Sequence, residues 1–167
     1  MTKKDISTEM TRQEFTVGLI SDTHGWLRPQ VIDQLKGCDA IIHAGDICDD
    51  EIVTRLEEIA PVYPVAGNMD RKGKYPASNL IQLSGYSIYI IHDFAAIDLD
   101  PATAGIDIVI SGHTHQPDRF KRGPVTCINP GSCGPRRPGR PISMARMRLS
   151  AEQISTDFID LETVSRN

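Results

Sequence analysis

The stretch Ser111-Gly112-His113-Thr114-His115-Gln116-Pro117 follows a short apolar run, Ile106 to Ile110. That run is β-branched and preceded by Gly105, so it reads as a buried strand. Where it ends, the chain turns at Gly112 and offers two imidazoles in one loop. Imidazole is a common side-chain ligand for transition metals. Taken alone, a His-x-His loop is as readily a turn with two exposed histidines. The chain holds five histidines, however: His24, His43, His92, His113 and His115. Each lies at or just past the end of an apolar, strand-like run, and the rest of the chain reads as scaffold for that cluster.

Upstream, Phe15 to Ile20 reads as a first buried strand, with Asp22 and His24 as an i, i+2 pair at its end. Asp22 is there either a ligand or the N-cap of the next helix, Arg28 to Lys36, whose Pro29 suits a first turn. Ala40 to His43 is a second strand, and Asp46 follows it. The helix expected from Cys48 to Ala60 carries Ile52, Val53, Leu56 and Ile59 on one face. Asp49, Asp50 or Glu51 can cap it, so capping does not require Asp46. His43, inside its strand, is expected in the core or behind the ligands, where an imidazole can orient a carboxylate. Val62 to Ala66 is the third strand. Asn68, in the loop beyond it, is either a carbonyl donor or an ordinary turn asparagine, and Asp70 is expected to cap or to pair with Arg71 or Lys72.

Leu80 to Leu83 and Tyr86 to Ile91 read as a hairpin about Ser84-Gly85, closed by His92-Asp93. Arg119 to Arg122 and Val125 to Ile128 read as another, followed by the turn Asn129-Pro130-Gly131-Ser132. Ile142 to Leu149 and Gln153 to Ile159 suggest a final antiparallel pair. The expected organisation is a loose polar extension over residues 1–14 and a single domain over 15–167.

A chain of 167 residues is long enough for one multilayer core. It has no apolar run of about 18 residues, so no membrane span is expected. Met1 to Glu14 lacks an apolar h-region and is not read as a secretory signal. The four cysteines (Cys38, Cys48, Cys127, Cys133) form no Cys-x-x-Cys pair, which suits free thiols in a reducing cytoplasm. Cys48 lies two residues from Asp46 and so close to any metal there. A net charge of −4 argues against broad nucleic-acid binding. The charge is uneven, since Arg119 to Arg148 holds eight basic residues and no acid. The segment is either a solvated cationic edge or a source of one or two arginines, such as Arg136 or Arg137, that attract an anionic substrate.

Because the early strands alternate with helices, they are expected to lie parallel, and ligands of such sheets gather beyond the carboxyl ends of the strands. Asp22, His24, Asp46, Asn68, His92, His113 and His115 all sit at such ends. Seven donors are too many for one tetrahedral metal and suit two metals sharing a carboxylate. The mixture of oxygen and imidazole, without cysteine, favours Mn²⁺, Fe or Zn²⁺ over Ca²⁺ or a structural zinc site.

The series Asp-x-His, Gly-Asp, Gly-Asn, a lone His after a strand and then Gly-His-x-His resembles the calcineurin-like metallophosphoesterase superfamily. Its spacing, with the Asn129-Pro130-Gly131-Ser132 turn, resembles the small YfcE-like phosphodiesterase branch, from about Phe15 to about Phe158. The resemblance implies a four-layer α-β-β-α sandwich, an α/β fold of two mixed β-sheets flanked by helices. It implies that Asp22, His24, Asp46 and His115 hold one divalent metal and that Asp46, Asn68, His92 and His113 hold the other, with Asp46 bridging. Mn²⁺ is the first expectation, with Fe, Zn²⁺ or Ni²⁺ as alternatives. Asp46, Asn68 and His113 are expected to carry catalysis, in which a hydroxide activated by both metals attacks the phosphorus of a phosphodiester in line. The expected partner is a small phosphodiester, and a homodimer is allowed.

Two positions depart from the superfamily pattern. Met69 stands where many members have a histidine thought to protonate the leaving group, which puts esters with poor leaving groups in doubt. Asp93-Phe94 stands where Gly-His is usual. Asp93 adds negative charge near the phosphate position and is expected to narrow the substrate range. Alternative readings are a phosphomonoesterase on the same site, and a weakly catalytic protein-binding scaffold like the retromer subunit of this fold. Trp26 either stacks on a substrate ring or covers core.

Overall fold

Residues 14–164 are described by the structure, a computed structural model. The expected polar extension, residues 1–14, lies outside the described residues except for the exposed Glu14. Five strands build a first sheet: β1 (Phe15–Ile20), β2 (Ala40–His43), β3 (Val62–Pro64), β9 (Ser143–Leu149) and β10 (Ile154–Asp160). Their order is β10-β9-β1-β2-β3. β1, β2 and β3 run parallel, while β9 pairs antiparallel with both β1 and β10. Parallel neighbours need a crossover between them. Here α1 (Pro29–Leu35) and α2 (Asp50–Glu57) supply it.

A second sheet is made of β4 (Ser78–Leu83), β5 (Tyr86–Ile91), β6 (Ile108–Ile110), β7 (Asp118–Arg122) and β8 (Val125–Asn129). Its order is β4-β5-β6-β8-β7, with β5, β6 and β8 parallel and the two edge strands antiparallel to their neighbours. Both sheets are therefore mixed, as expected.

Side-chain alternation along the strands sorts the core into layers. Val17 and Leu19 of β1 join Ile88, Ile90, Ile108 and Ile110 between the sheets. Ile20 and Ile41 point the other way, into Val31 and Leu35 of α1 and Ile52, Val53 and Leu56 of α2. Leu35 and Leu56 are fully buried there, each stabilising the fold by about 1.5–3 kcal/mol. Gly18 lies under α1, and a Cβ at that position would collide with the Leu35 side chain. On the outer face of the second sheet, Tyr89, Ile91, Val109 and Cys127 are covered by Phe94 and Ile97, at a 3-10 turn over Phe94–Ala96. Both described α-helices thus lie on the first sheet, and the fourth layer is that turn with its loop.

Some boundaries differ from the expected ones for local reasons. α2 starts at Asp50, not Cys48, because the Asp49 side chain accepts the Glu51 N–H and caps it. β3 stops at Pro64, and the Ala66 N–H turns to the Pro76 carbonyl instead (2.8 Å). No helix among the described residues is long and apolar enough to cross a membrane.

Candidate metal centre

The parallel strands carry the expected donors to one edge. Asp22 and His24 follow β1, Asp46 follows β2, Asn68 follows β3, His92 follows β5, and His113 and His115 follow β6. The loops that hold them are strained. Asp22 (φ 56°), His24 (46°), Asp46 (54°), His113 (70°) and His115 (59°) all adopt the left-handed backbone region. Such a conformation costs a non-glycine residue about 1–3 kcal/mol and persists only where its surroundings enforce it. Here backbone bonds do so: Asp22 N–H donates to Gly45 O (2.9 Å), His24 N–H to Asp46 O (2.9 Å) and Gly112 N–H to His92 O (2.9 Å). Gly112 has no room for a side chain, since a Cβ there would strike the Ser21 hydroxyl.

Each carboxylate has one oxygen anchored and one left facing the centre. Asp22 Oδ2 accepts from the Ser21 hydroxyl (2.6 Å) and from His113 N–H (3.2 Å). Asp22 Oδ1 is buried and receives no hydrogen bond of acceptable geometry, although His115 Nε2 lies 3.1 Å away. Asp46 Oδ1 accepts Met69 N–H (2.8 Å). Asp46 Oδ2 faces His92 Nε2 (3.4 Å) and His24 Nε2 (3.7 Å). Asp22 Oδ1 also reaches His24 Nε2 (3.8 Å) and His92 Nε2 (3.9 Å). His24 Nε2 and His115 Nε2 approach to 3.4 Å, and Asn68 Oδ1 lies 3.1 Å from His92 Nε2 and 3.2 Å from His113 Nδ1. All seven expected donors are therefore brought together. Five of them form two close groups, Asp22–His24–His115 and Asp22–Asp46–His92, while Asn68 and His113 stand beside the second through His92. Asp22 belongs to both groups, and Asp46, expected to bridge, belongs to the second while its Oδ2 lies 3.7 Å from His24 Nε2 of the first.

Protonation follows from the surroundings. His92 Nδ1 lies 2.7 Å from the Ala44 carbonyl. A carbonyl only accepts, so Nδ1 carries the hydrogen, and in the neutral ring Nε2 presents its lone pair to Asp46 and Asn68. Burial opposes ionisation of Asp22, but the His115 ring, the Ser21 hydroxyl and the charge of His92 hold it below the usual carboxylate range. Burial opposes ionisation of Asp46 as well, and His92 and the Met69 N–H likewise hold it low. For His92 burial disfavours the charged form, but Asp46, the Ala44 carbonyl and Asp22 outweigh it and raise the pKa. Burial depresses His24, helped by His115 and Arg137. A buried oxygen without a partner is costly, and an unprotonated imidazole nitrogen facing carboxylate oxygens is unfavourable. A cation among these atoms resolves both, so the donor set fits divalent metal.

The remaining expectations fare unevenly. His43 is fully buried. It accepts the Gly45 N–H at Nδ1 (3.2 Å), which leaves its Nε2–H to donate to the Thr23 hydroxyl (3.0 Å), itself a donor to Ile47 O (3.2 Å). His43 thus ties the loop after β1 to that after β2 rather than orienting a carboxylate. Arg136 does not reach the centre, because its guanidinium pairs with Glu162. Arg137 and Arg140 instead line a cavity of about 520 Å³, with His24, Asp46, Asn68 and Met69 among its walls. Trp26 is not among the cavity's lining residues; the Arg28 guanidinium lies 4.0 Å from its ring centre. Asp93 caps the 3-10 turn by accepting Ala95 N–H (3.0 Å).

Two residues matter more than their sequence context suggests. Among the described residues Asp70 forms no ion pair with Arg71 or Lys72. Its Oδ1 accepts from Ile47 N–H (2.9 Å) and Cys48 N–H (2.8 Å), and its Oδ2 from Gly67 N–H (2.8 Å). That carboxylate joins the Asp46 loop to the Asn68 loop. Asn129, the last residue of β8, donates through Nδ2 to Gly112 O (2.8 Å) and Thr114 Oγ1 (3.0 Å), bracketing His113. The Asn-Pro-Gly-Ser turn was the only sequence signal for it.

A family model for the calcineurin-like phosphoesterase superfamily domain matches residues 15–152. A probable metallophosphoesterase of Methanocaldococcus jannaschii is 35% identical over 160 residues, spanning 87% of this chain and 81% of that protein. Another from Methanothermobacter thermautotrophicus is 33% identical over 157 residues, spanning 86% of this chain and 91% of that protein. Among solved structures, a conserved Streptococcus pneumoniae protein described as a predicted phosphoesterase superposes with a TM-score of 0.72 at 27% identity, over 90% of this chain and 91% of that one. Vacuolar protein sorting 29 of Cryptosporidium parvum reaches 0.72 at 20% identity over 87% and 97%. An archaeal phosphodiesterase reaches 0.71 at 21% identity over 87% and 100%.

Proposed function

The chain belongs to the calcineurin-like phosphoesterase superfamily, and from that premise we propose that it is a metal-dependent phosphodiesterase. The observation that carries the proposal is Asp22 Oδ1, buried without a hydrogen bond amid imidazole nitrogens and beside Asp46. In this reading Asp22, His24, Asp46, Asn68, His92, His113 and His115 hold two divalent cations, with Mn²⁺ the first candidate. When bound, such cations act as Lewis acids toward phosphoryl oxygens and lower the pKa of water from about 15.7 toward 7. Residues 15–167 form one catalytic domain in this proposal.

The chain's own groups define the rest. Arg137 and Arg140, in the cavity wall, attract and orient a phosphate anion. Asp22 and Asp46 stay ionised at neutral pH and so remain competent ligands. Met69, 63% exposed on the same wall, cannot give a proton to a departing alkoxide. Activity is therefore expected on esters whose alcohol leaves without help, and on diesters rather than dianionic monoesters. The likeness to vacuolar protein sorting 29, at 20% identity, carries the fold alone and gives the scaffold alternative no separate support.

The test is hydrolysis of bis-p-nitrophenyl phosphate beside p-nitrophenyl phosphate by chelator-stripped protein with Mn²⁺, Ni²⁺, Zn²⁺ or Mg²⁺ restored. Metal-restored diester cleavage, weaker on the monoester and lost in Asp46→Asn, is the expected result. No turnover with any metal refutes the proposal.

A further inference from the structure

Asn68 and His113 belong to the walls of two cavities. One is the arginine-lined cavity described above. The other, of about 370 Å³, adds His92 and is otherwise built of different material. Its lining is largely small or apolar, from Ala66, Ala77, Tyr89, Ile91 and Ala96, and its only charged side chains besides His92 and His113 are the carboxylates Asp93 and Asp98. One oxygen of Asp93 is taken by the Ala95 N–H. Neither Asp93 nor Asp98 enters an ion pair among the described residues. Arg122 lies over the Phe94 ring at 5.8 Å and is not part of the cavity wall.

Resting on the diesterase reading, we propose that this second cavity is a subsite for one ester arm of the substrate, and that the arm carries an ammonium group of the ethanolamine or choline type. Three features point to that chemistry. The cavity touches the centre itself through Asn68, His92 and His113, so it adjoins the place where a phosphoryl group would bind in the diesterase reading. Its volume lies at the lower end of the range for small-molecule pockets, about 300–1,000 Å³, which suits an aminoalcohol rather than a nucleoside. Carboxylates set in an apolar wall favour a cation with methyl or methylene groups around it over a hydrated inorganic ion, because the walls desolvate the alkyl groups while the carboxylates balance the charge. The two cavities are opposite in sign. The arginines meet the phosphate, and the carboxylates repel a second phosphate while accepting an ammonium. Asp93 thereby selects among substrates instead of merely weakening phosphate binding.

The experiment compares p-nitrophenyl phosphorylcholine with its neutral isostere, p-nitrophenyl 3,3-dimethylbutyl phosphate, in wild type and in the Asp93→Asn/Asp98→Asn double variant. Asparagine keeps the volume and still accepts the Ala95 N–H, so the turn is retained, and circular dichroism checks it. Two partly exposed charge contacts are worth a preference of about fivefold to tenfold in kcat/KM for the cationic diester. The double variant should bring the ratio close to one. A ratio near one in wild type, or a ratio unchanged in the variant, overturns the inference while the diesterase reading stands. If neither diester nor bis-p-nitrophenyl phosphate is cleaved, the diesterase reading falls, and the subsite is read from tetramethylammonium binding to metal-loaded protein by saturation-transfer NMR. Binding that disappears in the double variant upholds an ammonium site. Binding that is absent, or that survives the substitutions, overturns it.

Discussion

Replacing Asp70 by alanine should damage both the fold and the centre. The Asp70 carboxylate accepts three backbone N–H groups, from Ile47 and Cys48 beyond β2 and from Gly67 beyond β3. Hydrogen bonds to a charged group contribute about 1.5–3 kcal/mol each when well shielded. Asp70 is half-buried, so water replaces part of what is lost, and we expect about 2–4 kcal/mol of destabilisation. For a chain of this size that lowers Tm by about 5–15 °C. Asp70→Asn should lose less, because its oxygen can still accept two of the bonds while its amide faces the third N–H as donor against donor. Asp46 and Asn68 stand on the two loops that Asp70 joins, so the stabilisation gained on adding Mn²⁺ should shrink in Asp70→Ala. The assay is urea unfolding of chelator-stripped and Mn²⁺-loaded protein. An Asp70→Ala protein within about 0.5 kcal/mol of wild type, with an undiminished response to Mn²⁺, refutes the reasoning.

Three shorter predictions use other parts of the structure. Burial pushes the His43 pKa down to about 4; the unfolded chain then binds more protons between about pH 6.5 and 4. Stability should fall by about 3 kcal/mol as pH drops through that window, and pH-dependent urea melts of His43→Gln should show a flatter profile; equal slopes contradict this. Cys48 is exposed, yet its thiol is pushed up to about 11 by desolvation and by Asp70, Asp46 and Asp22. It should therefore react with iodoacetamide at pH 7.5 far more slowly than a free model thiol, and model-like labelling refutes the assignment. Asn129→Ala removes the buried bond to Gly112 O and the part-buried one to Thr114 Oγ1 and should cost about 1–3 kcal/mol while weakening Mn²⁺ binding; calorimetric titration of the folded variant checks the second part.

The sequence made the layered α/β fold and the seven donors legible for the same reason. Apolar runs of fixed length ended in Asp, Asn or His, and parallel strands deliver their ends to one edge. Pairings between distant segments, such as β9 beside β1, had no local signal. On the outer face of the second sheet the described cover includes Phe94 and Ile97, at a three-residue 3-10 turn capped by Asp93, a detail too short to leave a periodic signal. The roles of Asp70 and Asn129 had little local signal, because most of their partners belong to other loops, which no spacing rule reveals. Of the two loop arginines offered by the sequence, Arg136 pairs with Glu162 and Arg137 lines the cavity, a difference no residue pattern carries. Left-handed φ angles at Asp22, His24, Asp46, His113 and His115 are likewise invisible in residue type, yet they mark the site more sharply than any motif.

The central claim is that Asp22 Oδ1 and the nitrogens around it exist to hold a pair of cations. Its most direct test is to reload chelator-stripped protein with Mn²⁺, count bound metal by elemental analysis and record low-temperature EPR spectra. The account predicts about two Mn²⁺ per chain with the exchange coupling expected of ions about 3.5–4 Å apart, and a loss of the coupled signal in Asp22→Asn. One ion or none at saturation, or two that show no coupling, would contradict it.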